Sequence, residues 1–97
     1  MKTLHWTSEA HSNFSDLEKN PAQKKVLKAV AKALHFLSQN PRHPGLHTHK
    51  YSAIKGPRGE EVFEAYAQNN TAGAYRIFWC YGPDKDDITI VAITPHP

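Results

Sequence analysis

The chain is poor in the features that announce many functions. Among its 97 residues there is a single cysteine, Cys80. No internal disulfide is available to it, so the disulfide argument for secretion falls away. The residue lies in an apolar run and reads as a small packed hydrophobe. No stretch approaches the roughly 20 apolar residues of a membrane span. The opening Met1-Lys2-Thr3-Leu4-His5-Trp6 lacks the apolar core of a signal peptide. A cytoplasmic protein with no membrane partner is therefore expected. Also missing are a glycine-rich phosphate loop, a Cys-x-x-Cys pair, a nucleophile elbow and a zincin helix. No repeat, linker or low-complexity tail interrupts the chain.

What is present suits one small α+β domain spanning 1–97. Hydrophobic residues make up 39% and charged residues 22%, a globular rather than a disordered balance. A chain this short has room for one modest core. The formal charge is +3 with seven histidines counted neutral. That mild basicity is compatible with nucleic acid or an acidic protein as partner.

Period and punctuation give the elements. Thr3 to Trp6 suits a short edge strand. Ser8 is the expected N-cap of a first helix, with Ala10, Phe14 and Leu17 on one face. Asn20-Pro21 breaks it and starts a second helix, with Asn20 as N-cap, Pro21 at N1 and Gln23 at the capping-box position. Leu27, Val30, Leu34 and Leu37 make its apolar stripe, and Asn40-Pro41 ends it. A strand is expected over 46–55, then a turn at Gly56-Pro57-Arg58-Gly59, then a strand over 61–68. Asn69 to Gly73 forms a hairpin loop. A closing hairpin follows, with its turn at 82–87. Short turns impose antiparallel neighbours. The expected architecture is thus two N-terminal helices packed on one face of a small, mainly antiparallel sheet.

The closing hairpin holds the most informative residue. Tyr75-Arg76-Ile77-Phe78-Trp79-Cys80-Tyr81 places an arginine inside an aromatic and aliphatic strand. If the preceding hairpin pairs Tyr66 with Arg76, Glu64 lies opposite Phe78. Phe63, Ala65, Ala67, Ile77 and Trp79 then share the other face. Matching parity in the last hairpin adds Ile90, Ala92 and His96 to the Arg76 face. Glu64, Tyr66, Arg76 and His96 converge there, in a grouping that a one-residue slip would break. Two readings stand side by side. Arg76 and Glu64 form a structural cross-strand pair, or the group is chemical. Guanidinium binds phosphate through a fixed fork of donors, histidine passes protons near neutral pH, and a carboxylate or tyrosine acts as base or positions. Cleavage of RNA by its own 2′-hydroxyl needs those three roles.

A second constellation is basic. His47, His49 and Lys50, with His43 upstream, suit a patch on nucleic acid, and Lys55 and Arg58 extend it. Solvated loop histidines and a metal site are the competing readings. Lys24, Lys25, Lys28 and Lys32 form either a solvated helix face or a phosphate-tracking surface. Trp6, Phe14, Phe36 and Trp79 are expected in the core.

The order of elements, the Pro44-Gly45-Leu46-His47-Thr48-His49-Lys50-Tyr51 segment and the Tyr75-Arg76-Ile77-Phe78 strand resemble the RelE/ParE toxin superfamily of bacterial toxin–antitoxin systems. That resemblance implies a toxin neutralised by a cognate antitoxin, as a hetero-oligomer, with a homodimer also possible. In the RelE-like branch it implies ribosome-dependent cleavage of mRNA without metal or cofactor. In the ParE-like branch it implies inhibition of DNA gyrase by binding. Arg76 matches the arginine that contacts the scissile phosphate in the RNA cutters, and His96 matches a C-terminal basic or histidine position. Lys50 matches the His-Lys segment. Glu64 and Tyr66 enter from strand geometry alone. The leading expectation is a RelE-like endoribonuclease. A silent or ParE-like binder and a non-catalytic RNA-binding module are the alternatives.

Overall fold

A computed structural model describes residues 1–69 and 71–96. Asn70, in the expected hairpin loop, and Pro97 lie outside the described residues. Five strands form one sheet: β1 (Thr3–Trp6), β2 (His49–Lys55), β3 (Glu61–Tyr66), β4 (Tyr75–Tyr81) and β5 (Asp87–Pro95). Their spatial order is β1-β5-β4-β3-β2. β1 runs parallel to β5, and the other pairs are antiparallel. Helices α1 (Ser8–Lys19) and α2 (Lys24–Gln39) precede β2. They bury their apolar stripes on one face of the sheet. Leu17, Val30, Leu34 and Leu37 pack there with Ile77, Trp79, Ile88, Ile90 and Ile93.

Both helix starts differ from expectation by local chemistry. Thr7, not Ser8, caps α1, because its Oγ1 accepts from the Ala10 amide at 3.0 Å. The same hydroxyl donates to the Val91 carbonyl at 2.7 Å, so the cap also fastens the helix to β5. Asn20 caps a 3₁₀ turn, Pro21–Gln23, and its side chain accepts from the Ala22 amide at 3.0 Å. α2 begins only after that turn, and the Gln23 side chain makes no capping bond.

The strand expected from Leu46 starts later. Pro44–Leu46 is a 3₁₀ turn, capped by His43 Nδ1 accepting from the Gly45 amide at 3.0 Å. His47 follows at φ 48, in the left-handed region, and β2 opens at His49.

The register of β3 on β4 is the one the turn suggested, with Tyr66 opposite Arg76 and Glu64 opposite Phe78. The last hairpin departs from simple parity. Phe78 pairs with Ala92 but Trp79 pairs with Ile90, so Val91 is an extra, bulged residue. The bulge turns Ile90 into the helix-side core, correcting its expected place beside Arg76. Ala92 stays on the open face. The bulge is held by the Thr7 bond to Val91 and by Asn13 Oδ1, which accepts from the Ile93 amide at 2.9 Å. Alternation in the sequence cannot show this, because the extra residue is selected by side chains on α1.

The face away from the helices has two parts. Val62, Phe78, Cys80 and Ala92 form a small apolar cluster roofed by Tyr51 and Ile54. Glu64, Tyr66 and Arg76 lie beyond it. Burial pushes the Cys80 thiol above its usual range, and the Glu60 charge adds to the shift. A thiol kept protonated is a poor nucleophile. Alkylation of the native protein by iodoacetamide at neutral pH is therefore expected to be far slower than in denaturant. Comparable rates by mass spectrometry would contradict the packing.

Removing most of a fully buried side chain, as in Ile77→Ala, is expected to cost about 2–5 kcal/mol. Urea denaturation checks this, and a loss well under 1 kcal/mol would contradict a core centred on that strand.

Candidate functional site

The site is built around one buried carboxylate. Glu64 is 2% exposed, and burial of a charge is tolerated only with partners. Three basic groups surround it. His49 Nε2 lies 2.7 Å from Oε1, and His96 Nδ1 lies 3.1 Å from Oε2. Arg76 Nε is 3.7 Å from Oε2, close enough for an ion pair and too long for a hydrogen bond. Each partner has its own reason to be there. His49 is the register partner of Glu64 across β2 and β3. His96 follows β5, anchored by its amide donating to the Ala74 carbonyl at 2.7 Å.

Arg76 is drawn inward. It is 7% exposed, and its Nη1 donates to the Gln68 carbonyl at 2.6 Å. Its Cζ sits 3.7 Å from the centre of the Tyr66 ring, a cation–π contact. Nε has no hydrogen-bond acceptor among the described residues. The guanidinium thus combines the two readings of the sequence: it pairs with Glu64 across the strands, and it places fixed positive charge under Tyr66.

The histidine rings hold different roles. His49 Nδ1 faces the His47 carbonyl at 2.9 Å while Nε2 faces Glu64. Both neighbours are oxygens, so the ring is held from two sides. His96 differs: its Nδ1 donates to the carboxylate, and Nε2 makes no hydrogen bond among the described residues. Its side chain is half-exposed (51%). The His47 ring lies 5.1 Å from that of Tyr66. Its left-handed backbone is unfavourable for a residue with a Cβ, and such outliers concentrate at functional sites.

The structure therefore brings together Glu64, Tyr66, Arg76 and His96 with His47 and His49. It sends the other basic residues elsewhere. Lys50, next along β2, points to the opposite face and lies 3.6 Å from Glu61. Lys55 is exposed at the far end of β2. Arg58 is tied to Glu60 at 2.8 Å, where the turn amides and that guanidinium lower the Glu60 carboxyl below its usual range. Lys24, Lys25, Lys28 and Lys32 are exposed on α2. Among the described residues no group of three or more His, Cys, Asp or Glu side chains is arranged to hold a metal ion. No helix is long and apolar enough to cross a membrane.

The bond of His49 to Glu64 was not read from the sequence. Its signal was the β2–β3 register, which the irregular turn between those strands obscures.

The fold has counterparts of known structure. A YoeB/ParE toxin from Agrobacterium tumefaciens superposes with a TM-score of 0.70 at 9% identity, covering 98% of this chain and 99% of the other. The fold is that of RelE/ParE-type toxins. A metal-bound toxin from Helicobacter pylori gives a TM-score of 0.69 at 16% identity, covering 99% and 96%. The intact Escherichia coli RelBE toxin–antitoxin complex gives 0.62 at 12% identity, covering 100% and 99%. No family model matches the sequence, and no curated protein does either. The RelE/ParE-type fold is thus kept with little of the neighbours' sequences.

Deleting the central carboxylate would leave Arg76 buried without its counter-charge. Glu64→Ala is expected to destabilise the domain by about 3 kcal/mol. Chemical denaturation checks this, and a change below 1 kcal/mol would show that the cluster is not a closed electrostatic unit.

Proposed function

We propose that this chain is the toxin of a bacterial toxin–antitoxin system, and that it cleaves mRNA on the ribosome by a metal-independent route. The observation that carries the reading is the His96–Glu64 pair, a histidine oriented by a buried carboxylate with its second nitrogen facing outward. Such an arrangement is suited to general base catalysis. His96 Nε2 takes the proton of the 2′-hydroxyl, and the Glu64 carboxylate stabilises the imidazolium that forms. The 2′-oxygen attacks phosphorus and the bond to the 5′-oxygen breaks. A proton from His47, exposed beside Tyr66, goes to that leaving oxygen. The products are a 2′,3′-cyclic phosphate and a 5′-hydroxyl. Arg76 contributes through its charge on the developing dianion, transmitted past Tyr66. His49 and Tyr66 position the group. Lys50, Lys55 and Arg58, separated from the cluster, act on the RNA backbone away from the scissile phosphate. The protein-level partner is a cognate antitoxin, and the site of action is the cytoplasmic ribosome.

A second reading is favoured by one specific observation. The burial of Arg76 leaves little guanidinium surface for a phosphate, which suits a toxin that binds its target, such as gyrase, without cutting RNA.

Inducing the protein in cells and mapping mRNA 5′ ends separates the two. Cleavage within translated codons is expected, and His96→Ala should lower it by about 10²–10⁴-fold with the fold retained by circular dichroism. Growth arrest with intact mRNA and an SOS response would overturn the nuclease reading.

A further inference from the structure

A groove of about 520 Å³ lies on the helix side of the sheet, between the loop after α2 and strands β3 and β4. Its floor is aromatic. The rings of Phe63 and Trp79 lie 5.0 Å apart at 28°, and Tyr81 meets them edge-on at 5.7 and 4.9 Å. Tyr81 is 44% exposed, unusual for a large aromatic residue at the end of a central strand. Its rim is cationic, with Arg42 and Lys50 and no carboxylate among the lining residues. Arg42 has no ion pair among the described residues, and Lys50 has only its 3.6 Å contact with the exposed Glu61. Trp79 itself is 1% exposed and underlies the floor.

The groove borders the Glu64 cluster, sharing His47 and His49 with it, but its aromatic floor and its Arg42 and Lys50 rim lie outside that cluster and agree on one chemistry. A planar ring fits against the aromatic floor, and an anion fits the rim. We propose that this groove binds a nucleotide. The base stacks on Tyr81 and Phe63, and the phosphate is held between Arg42 and Lys50. The ligand is either a free nucleotide or one unit of an RNA strand. The inference does not rest on RNA cleavage by His96.

The test uses the full chain with Trp6→Phe, which leaves Trp79 as the reporter, since the sequence has two tryptophans. Its fluorescence is titrated with AMP and GMP, with inorganic phosphate and ribose 5-phosphate as controls. A 2′-O-methyl hexanucleotide, which cannot be cut by its own 2′-oxygen, is the strand probe. Saturable binding of nucleotide but not of the controls is expected. Arg42→Ala/Lys50→Ala and Tyr81→Ala, all at exposed positions, should each weaken it by about tenfold or more with unchanged circular dichroism. A hexanucleotide binding about tenfold tighter than AMP identifies a strand site, and equal affinity identifies a free-nucleotide site. The proposal is overturned if neither probe saturates, or if binding ignores these substitutions. It is also overturned if only an acidic, tyrosine-containing peptide binds. Cleavage is not the readout, so either outcome leaves the His96 reading to its own test.

Discussion

The carboxylate of Glu64 is the constraint on which the site depends. It is buried and ionisable, and it is tolerated because His49, His96 and Arg76 close around it. Those three partners come from β2, from the residue after β5 and from β4. One side chain on β3 therefore gathers the whole polar end of the open face. Hydrogen bonding to the two histidines uses both carboxylate oxygens, which fixes both rings. The arginine adds charge from within the sheet, beneath Tyr66.

The sheet supplies the placement. Antiparallel register puts Tyr66 against Arg76 and Glu64 against His49. Pairing of Arg76 with Thr94 sets the direction of the last strand as it reaches His96. The bulge at Val91 absorbs one residue, so that Ile90 enters the helix-side core while Ala92 and the C-terminal end keep the parity of the open face. Helix α1 sets that bulge through Thr7 and Asn13. A polar cap at the start of the chain thus has a consequence at its end. The RelE/ParE-type frame is shared with toxins of 9–16% identity, and the side chains it carries here are this chain's own.

Much of this was legible in the sequence. The Leu27 to Leu37 stripe marked α2, and the supposed pairing of Tyr66 with Arg76 is the one the sheet adopts, which brings Glu64, Tyr66 and Arg76 to one face. Local period cannot reveal features decided by contacts distant in sequence. The Val91 bulge was hidden for that reason, and Ile90 was expected on the wrong side. His49 was read as part of a basic patch because its partnership with Glu64 depends on a register shift between Lys50 and Lys55. Lys50, beside it, was grouped by sequence proximity, whereas strand alternation sends it to the other face. Arg76 carried two readings, a cross-strand pair with Glu64 or a phosphate ligand, and the pair with Glu64 is present. The carbonyl of Gln68, exposed by the end of β3, holds it inward.

The central claim is that Glu64 fixes His96 with Nδ1–H inward and Nε2 free to accept a proton. Long-range proton–nitrogen correlation spectra of the ¹⁵N-histidine-labelled protein test it most directly, recorded where the ring is neutral. The account predicts the Nδ1–H tautomer for His96 in the native chain, and a return toward the Nε2–H form in Glu64→Gln. An Nε2–H ring in the native chain, unchanged by that substitution, would contradict it.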